Sequence, residues 1–189
     1  MGRTYRTEGI ILKRINLGET DRILTIYTKH YGKIRAIAKG VRKITSRKGG
    51  SVEAFNHVSL FLVQGKNLDI VSEVEVINSF KSWRKNLKKV GLSYYFCELV
   101  DRLTPNSQAN RAVFELLKNY LARIGKTPPR WPEELLGGGK LVREFEEQLL
   151  EELGFGVPEA LKNTSSSLKS YIETITESKI TTPKILRQL

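Results

Sequence analysis

The 189-residue sequence contains only one cysteine, Cys97, and two histidines, His30 and His57. A single cysteine excludes a disulfide within the chain, and so few Cys and His residues exclude a four-ligand zinc site. The carboxylates lack the spacing of a calcium-binding loop, so we expect no metal and no cofactor. Because neither histidine has a catalytic partner nearby in sequence, we also expect no enzymatic activity.

Long apolar runs are missing as well. No stretch approaches the roughly 18 uncharged apolar residues of a membrane span, and the N-terminal residues lack the apolar centre of a secretory signal. We therefore expect a cytoplasmic protein with no membrane partner. The glycines at 137–139 precede Lys140 as in a phosphate-binding loop, but Leu141 occupies the place of the required hydroxyl residue, which argues against a nucleotide site.

Acidic residues are scarce in the first half of the chain. Residues 1–89 hold 19 Lys or Arg against 7 Asp or Glu, whereas residues 90–189 hold 13 of each, so the first half carries the whole net charge of +12. Between Arg22 and Val52 there are nine basic residues and no carboxylate. A surface that is merely solubilising would mix both signs. The uncompensated charge predicts an anionic partner.

The first eighty residues show the patterns of short strands. Strands are predicted at residues 9–15, 22–28, 33–38, 57–63 and 69–77. Several of them carry apolar residues on both faces, which favours a small closed barrel of five strands. The connection at 39–51 is polycationic, with too few apolar residues to pack in a core, and we expect it to be exposed and mobile without a ligand.

After residue 81 the apolar residues recur at helical spacing. The pattern predicts helices over residues 82–104, 108–124 and 140–153, with a weaker one over 164–177. The fold class is therefore α+β, with a five-stranded barrel domain at 1–80 and an all-α domain at 81–189. The third helix has a strongly acidic face, which would repel DNA and suits contact with a protein or with the basic half of the chain.

The basic barrel is suited to nucleic acid, because Lys and Arg neutralise phosphates while exposed aromatic rings stack on bases. Lys33 and Arg35 alternate along one strand and so share a face. A second basic cluster is spaced to lie on one face of the first helix, which suggests that a DNA-binding groove continues onto that helix. The predicted DNA-binding residues are Lys13, Arg14, Arg22, Lys33, Arg35, Lys39, Arg42, Lys43, Arg47, Lys48, Lys81, Arg84, Lys85 and Lys88. The candidate stacking residues are Tyr5, Tyr27, Tyr31 and Phe61, with a core role favoured for Tyr27 and Phe61.

Four motifs in the first eighty residues resemble the N-terminal domain of the RecO family of bacterial DNA repair proteins. They are EGIILKR at 8–14, GETDRILTIYT at 18–28, GKIRAIAKGVR at 32–42 and EVEVINSF at 73–80. Less specific similarity continues in YYFCELV at 94–100 and FEEQLLEELGF at 145–155.

The resemblance implies a fold and a function. It implies an OB-fold barrel followed by helices, and a nucleoid-associated protein that binds single- and double-stranded DNA and anneals complementary strands. It also implies partnership with RecR and single-stranded DNA-binding protein, and indirectly with RecA, whose loading they assist. Its DNA contacts would include Lys33, Arg35, Lys39 and Arg42. Many family members carry a four-cysteine zinc module near residues 156–159, which this chain lacks.

Two other functions are compatible with the residues alone. An OB-fold protein that binds RNA or associates with the ribosome would have a similar basic barrel. A scaffold whose basic half binds an acidic protein would also carry this charge, but its binding would depend little on nucleic-acid length. For a nucleic-acid binder, affinity should fall steeply with salt.

Overall fold

The computed structural model describes residues 3–46, 48–126, 139–162 and 168–182. The chain divides into two compact units. The first comprises Met1–Phe80 and Pro105–Phe114, and the second comprises Lys81–Thr104 and Glu115–Leu189. Residues 105–114 thus pack with the first unit, whereas the sequence pattern assigned them to the all-α domain at 81–189.

The first unit is built on a closed five-stranded barrel. Its strands are β1 (Thr4–Leu17), β2 (Asp21–Thr28), β3 (Gly32–Ala38), β4 (His57–Val63) and β5 (Asp69–Asn78). They are hydrogen-bonded in the order β1-β2-β3-β5-β4, which closes the sheet on itself. The predicted fold class, a five-stranded barrel of the OB type followed by helices, is confirmed.

Strand β1 closes the barrel because it is long enough to pair with two neighbours. Its first half pairs with β4 and its second half with β2, and Gly9 at the changeover pairs with both Val58 and Thr28. A Cβ atom on Gly9 would lie 2.6 Å from the Ile26 side chain, so glycine is needed for this close approach. On the far side, β3 and β5 run parallel through Ile37 and Ile70.

Alternate strand residues fill the barrel. On β2, Leu24 and Ile26 are buried while Thr25 between them is partly exposed, the period of two expected for a half-buried strand. Each such aliphatic side chain contributes about 1.5–3 kcal/mol through burial. The core cluster consists of Ile11, Leu24, Ile26, Ile34, Ala36, Ala38, Val41, Val52, Val58, Leu60, Leu62 and Val71.

The segment at 105–114 adds a cover to one side of the barrel. The main-chain N–H of Ser107 donates to the carbonyl of Lys33 at 2.9 Å, and the ring of Phe114 lies 5.7 Å from that of His57. The segment runs so close to β3 that a Cβ atom on Gly32, whose φ is +66°, would lie 2.1 Å from the carbonyl oxygen of Gln108.

The second unit contains the remaining helices. They are α1 (Leu87–Leu103), α2 (Arg111–Lys126, whose first turn belongs to the first unit), α3 (Lys140–Glu152), α4 (Glu159–Lys162) and α5 (Lys169–Ile175). Aromatic rings from three helices form its centre: Phe96 stacks on Phe145 at 4.1 Å, and Tyr120 contacts both. None of the described helices is long and apolar enough to cross a membrane.

Helix α1 begins five residues later than the periodicity predicted. The side chain of Asn86 accepts from the N–H of Lys89 at 3.2 Å and so caps the helix. Residues 81–85 form turns instead, and the indole N–H of Trp83 donates to the carbonyl of Leu121 at 3.0 Å. Helix α2 continues past the predicted end at residue 124 and includes Gly125, where a Cβ atom would approach Trp83 to 3.3 Å.

A carboxylate on α1 holds the last described residues of the second unit. Glu98 accepts from the N–H and hydroxyl of Thr182 at 2.8 and 2.6 Å, and from the same two groups of Thr181 at 2.9 and 2.8 Å. Although burial acts to raise the pKa of Glu98, these four donors outweigh it and lower the pKa to about 2.

Candidate nucleic-acid interface

Two exposed cations lie in one row across three strands of the barrel. Lys13 on β1 pairs with Thr25 on β2, and Thr25 pairs with Arg35 on β3. Directly paired residues share a face, so both cations point outward with Thr25 between them, and neighbouring strands are about 4.8 Å apart. Neither side chain makes a hydrogen bond or ion pair within the described part of the chain.

The next row of the same outer face is apolar. Ile15 pairs with Ile23, and Ile23 pairs with Ile37. Ile15 is 47% exposed, and the other two are partly exposed. The outer face therefore combines fixed positive charge with apolar area, the combination that supports backbone neutralisation together with base contact.

The basic loop, residues 39–56, is tied to the barrel at its beginning. The carboxylate of Asp21 accepts from the N–H of Gly40 at 2.8 Å, and this hydrogen bond is the main cause that lowers the pKa of Asp21. The guanidinium of Arg42 donates to the carbonyl of Gly18 at 2.8 Å. Val41 is buried in the barrel core, so the prediction that this segment contributes nothing to the core is wrong.

The end of the basic loop is also attached to the barrel, through hydrogen bonds and a buried side chain. Asn56 is buried, and its side-chain amide donates to the carbonyls of Gly50 and Ser51 at 3.0 and 2.9 Å. Val52 lies in the barrel core. Between these contacts, Arg42, Lys43 and Lys48 are exposed on a backbone that is attached to the barrel at both ends.

One carboxylate just beyond the uncompensated stretch changes the charge argument. Glu53 forms ion pairs with Arg14 at 3.0 Å and Arg22 at 2.9 Å. Arg22 is mostly buried, with 14% of its side chain exposed. Both arginines were predicted to contact DNA, but their charge is already partly compensated within the barrel. Proximity in the fold, rather than in the chain, brings this acid to them.

Lys39, Lys43 and Lys48 are the other described cations of the basic loop, and all three are exposed. Lys39 and Lys43 make no side-chain hydrogen bond or ion pair among the described residues. Lys48 donates to the carbonyl of Ser72. Arg47 lies outside the described residues. Together with Lys13 and Arg35, Lys39 and Lys43 are the exposed cations available around the start of the basic loop.

The shared face predicted for Lys33 and Arg35 is correct in register but unequal in exposure. Arg35 is exposed, whereas Lys33 is only 9% exposed. Asn106 forms a bridge with Lys33, and the neighbouring Ser107 donates to its carbonyl, so the covering segment lies over this position. The sequence of 105–108 has no periodicity that would have predicted such a contact.

The second basic cluster was predicted to lie on one face of the first helix, but the structure does not place it there. Lys81, Arg84 and Lys85 lie in turns before α1, and only Lys88 is helical. The N-cap at Asn86 prevents the helix from extending back over them. All four belong to the second compact unit. A continuous groove from the barrel to this cluster stays a prediction.

The acidic face of α3 is smaller than its sequence indicates. Glu146 is fully buried and accepts from the hydroxyl of Tyr95 at 2.5 Å and from the N–H of Leu168 at 2.8 Å. Glu144 pairs with Arg123 at 2.7 Å, and Glu147 pairs with Arg143 at 2.6 Å. Periodicity alone could not separate these internally paired acids from solvated ones. Three of the five acids predicted for this face, which also includes Glu151 and Glu152, are therefore paired within the second unit, and this weakens its predicted protein-binding role.

The candidate stacking residues differ in exposure. Tyr27 is fully buried, as its core interpretation predicted, and Tyr31 is 42% exposed. Phe61 is partly buried, with the guanidinium of Arg6 5.1 Å from its ring centroid. Tyr5 is also partly buried, and its ring centroid lies 4.6 Å from that of Tyr31.

Two side chains of catalytic type, His57 and Cys97, are buried. His57 is buried and bonds to Glu8 at 3.2 Å, while Lys29 approaches the same carboxylate at 3.4 Å. Burial raises the pKa of the Cys97 thiol and so disfavours the thiolate. Within the described ranges, no group of three or more His, Cys, Asp and Glu residues is arranged to hold a metal ion.

Comparison with known proteins covers both units. The family model of the recombination protein O N terminal matches residues 1–80, and that of the recombination protein O C terminal matches residues 84–160. A DNA repair protein RecO from Pelotomaculum thermopropionicum is 36% identical over 156 residues, which are 81% of this chain and 56% of that protein. A DNA repair protein RecO from Symbiobacterium thermophilum is 37% identical over 151 residues, which are 80% of this chain and 57% of that protein. The chain thus spans about half the length of these curated relatives.

Proposed function

Because the chain belongs to the recombination protein O family, we propose that it is a non-enzymatic DNA-binding recombination mediator that acts in DNA repair. Its curated relatives are named DNA repair proteins. That name supports repair DNA as the polyanion over the alternative of an RNA or ribosomal partner. In this proposal the chain binds strands and performs no bond-making chemistry.

The observation that carries the proposal is the set of exposed cations around the start of the basic loop. Lys13 and Arg35 share a row of the barrel face, and Lys39 and Lys43 lie one and five residues after the end of β3. None of the four forms an ion pair with a described acidic side chain, although Lys39 and Lys43 lie near enough to Asp21 for their charges to help lower the pKa of that carboxyl. Each phosphate that they neutralise releases condensed counterions, which favours binding of either single- or double-stranded DNA.

The backbone that carries Lys39 and Lys43 is attached to the barrel, which favours binding by these two residues. The hydrogen bond between Asp21 and Gly40 and the burial of Val41 hold the backbone at the start of the loop. A backbone already held in place loses less conformational entropy on binding than a free one. Phosphate contacts also carry no sequence information, which suits a mediator that acts on any strand.

The finer steps of the proposal concern the partners. We infer that the protein anneals complementary strands and, with RecR, acts on DNA coated with single-stranded DNA-binding protein, thereby assisting the loading of RecA. This activity would locate it on the nucleoid in the cytoplasm. The family membership supports these partners, and the basic barrel supports the strand contact.

The direct test is annealing of complementary DNA strands pre-coated with single-stranded DNA-binding protein, followed by fluorescence energy transfer. The protein should accelerate annealing, and the double variant Lys39→Gln with Lys43→Gln should lose most of that acceleration. Lys179→Gln removes an exposed lysine of the second unit and is the matched control. Wild-type protein that binds naked strands but never accelerates annealing of coated ones would overturn the mediator role. Wild-type protein that binds no DNA would overturn the function itself.

A further inference from the structure

A polar cavity of about 480 Å³ opens in the first unit, away from the basic loop. It lies where the start of β1, the turn between β2 and β3, and the turn between β4 and β5 come together. The side chains that matter for its chemistry are Arg3, Tyr5, Tyr31, Gln64, Asp69 and Ser107. Its volume falls within the range of roughly 300–1,000 Å³ typical of small-ligand pockets.

Two side chains that line the cavity are held by a partly buried contact. The hydroxyl of Tyr5 donates to one oxygen of Asp69, and the other oxygen accepts from the N–H of Gly65 at 3.1 Å. Burial and the neighbouring Asp69 raise the pKa of Tyr5, so its hydroxyl remains a donor. The Asp69 carboxylate and the Tyr5 ring are therefore positioned before any ligand arrives.

Tyr31 supplies an aromatic surface at the edge of the cavity. Its ring is inclined by 56° to that of Tyr5 and is 42% exposed, so area remains for a second planar group. Its backbone is held, because its N–H donates to the hydroxyl of Thr28 at 3.0 Å. The same hydroxyl donates to the carbonyl of Gly32 at 2.8 Å. A ring on a held backbone loses little freedom on stacking.

The polar groups around this ring match an unpaired nucleobase. Gln64 offers both an amide donor and an acceptor, and Ser107 offers a hydroxyl, which are groups that bond to base edges. Arg3 is exposed and supplies positive charge for a phosphate. A duplex keeps its base faces stacked, so only an unpaired base can offer a face to this ring.

We propose that this cavity binds one unpaired base of a DNA strand, by stacking on Tyr31 and hydrogen bonding to Gln64 and Ser107. The inference rests on the proposed function and extends it. Lys39 of the basic loop and Tyr31 lie beyond opposite ends of β3, which has 7 residues, and so are roughly 26 Å apart along the strand. The cavity is thus a second contact point that recognises single-stranded character, while the basic loop recognises phosphate.

The test compares affinities for a single-stranded oligonucleotide and a duplex of equal length. Tyr31→Ala should weaken single-strand binding roughly 5- to 150-fold, the effect of losing one stacked base, with little change for duplex. Tyr31→Phe keeps the ring and should retain the affinity. Tyr94→Ala removes a tyrosine of similar exposure, 46%, from the second unit and should have no effect.

A second readout identifies the stacked base directly. Wild-type protein should quench the fluorescence of 2-aminopurine placed in a single-stranded oligonucleotide, and Tyr31→Ala should quench it less. Equal quenching and equal single-strand affinity in wild type and Tyr31→Ala would overturn the cavity assignment while leaving DNA binding intact. If wild-type protein binds neither DNA form, the proposed function fails first. A Tyr31→Ala loss that is the same for duplex and single strand would also overturn the recognition of unpaired bases.

Discussion

Glu53, at the end of the basic loop, bonds to Arg22 on β2 at 2.9 Å and thereby ties the loop to the barrel. The same carboxylate reaches Arg14 on β1 at 3.0 Å. One acid therefore joins two strands to the loop that separates β3 from β4. The two arginines serve the fold through this pairing, which divides the cations of the barrel into structural and available ones.

Replacing this carboxylate should lower stability without lowering DNA affinity. Glu53→Ala leaves the partly buried Arg22 without its partner, so we expect a loss of about 1–2 kcal/mol in the free energy of unfolding. Urea unfolding measures it. Glu73→Ala is the matched control, because its ion pair with Arg6 is well exposed and contributes little. If DNA affinity instead falls as much as stability, the division between structural and available cations is wrong.

The salt dependence of DNA binding should distinguish the two groups of cations. If Lys39 and Lys43 each neutralise one phosphate, replacing both with Gln should reduce the slope of log affinity against log salt by roughly 1.4–1.8. Arg14→Gln should leave the slope near that of the wild type, because this arginine already pairs with Glu53. Fluorescence titrations at several salt concentrations measure each slope. Equal slopes in the double variant and wild type would remove the basic loop from the interface.

The second unit should lose stability in acid through Glu98. Its folded pKa is about 2, below the ordinary value near 4.3 of an unfolded glutamate. The stabilisation is therefore complete above that unfolded value and disappears as pH falls towards 2, with a maximum near 3 kcal/mol. Urea unfolding between pH 2 and 6 should show this loss in wild type and a smaller one in Glu98→Gln. Replacing Thr181 and Thr182 with Val should also flatten the profile, and an unchanged profile in both variants would contradict this role of the carboxylate.

Much of the fold could be predicted from local pattern. The short apolar runs of β2 and β4 predicted strands whose bounds agree closely with the structure, and the apolar spacing in α3 predicted nearly its full length. These predictions agree with the structure because each element packs against a core, so the positions of its apolar residues in the sequence reflect which side chains are buried. Helix α1 began later than predicted because the Asn86 cap and the Trp83 contact compete with helical periodicity.

The sequence by itself determined the charge of the first half, the five strands and the family to which the chain belongs, since each depends on residue type and order alone. The tertiary structure decided which cations are available. Only folding brings Glu53 to Arg14 and Arg22, and only folding lays residues 105–108 over Lys33. Folding likewise brings Tyr5, Tyr31 and Asp69 around one cavity. The physical reason is that ion pairing and burial depend on distance in space, which residue order does not specify.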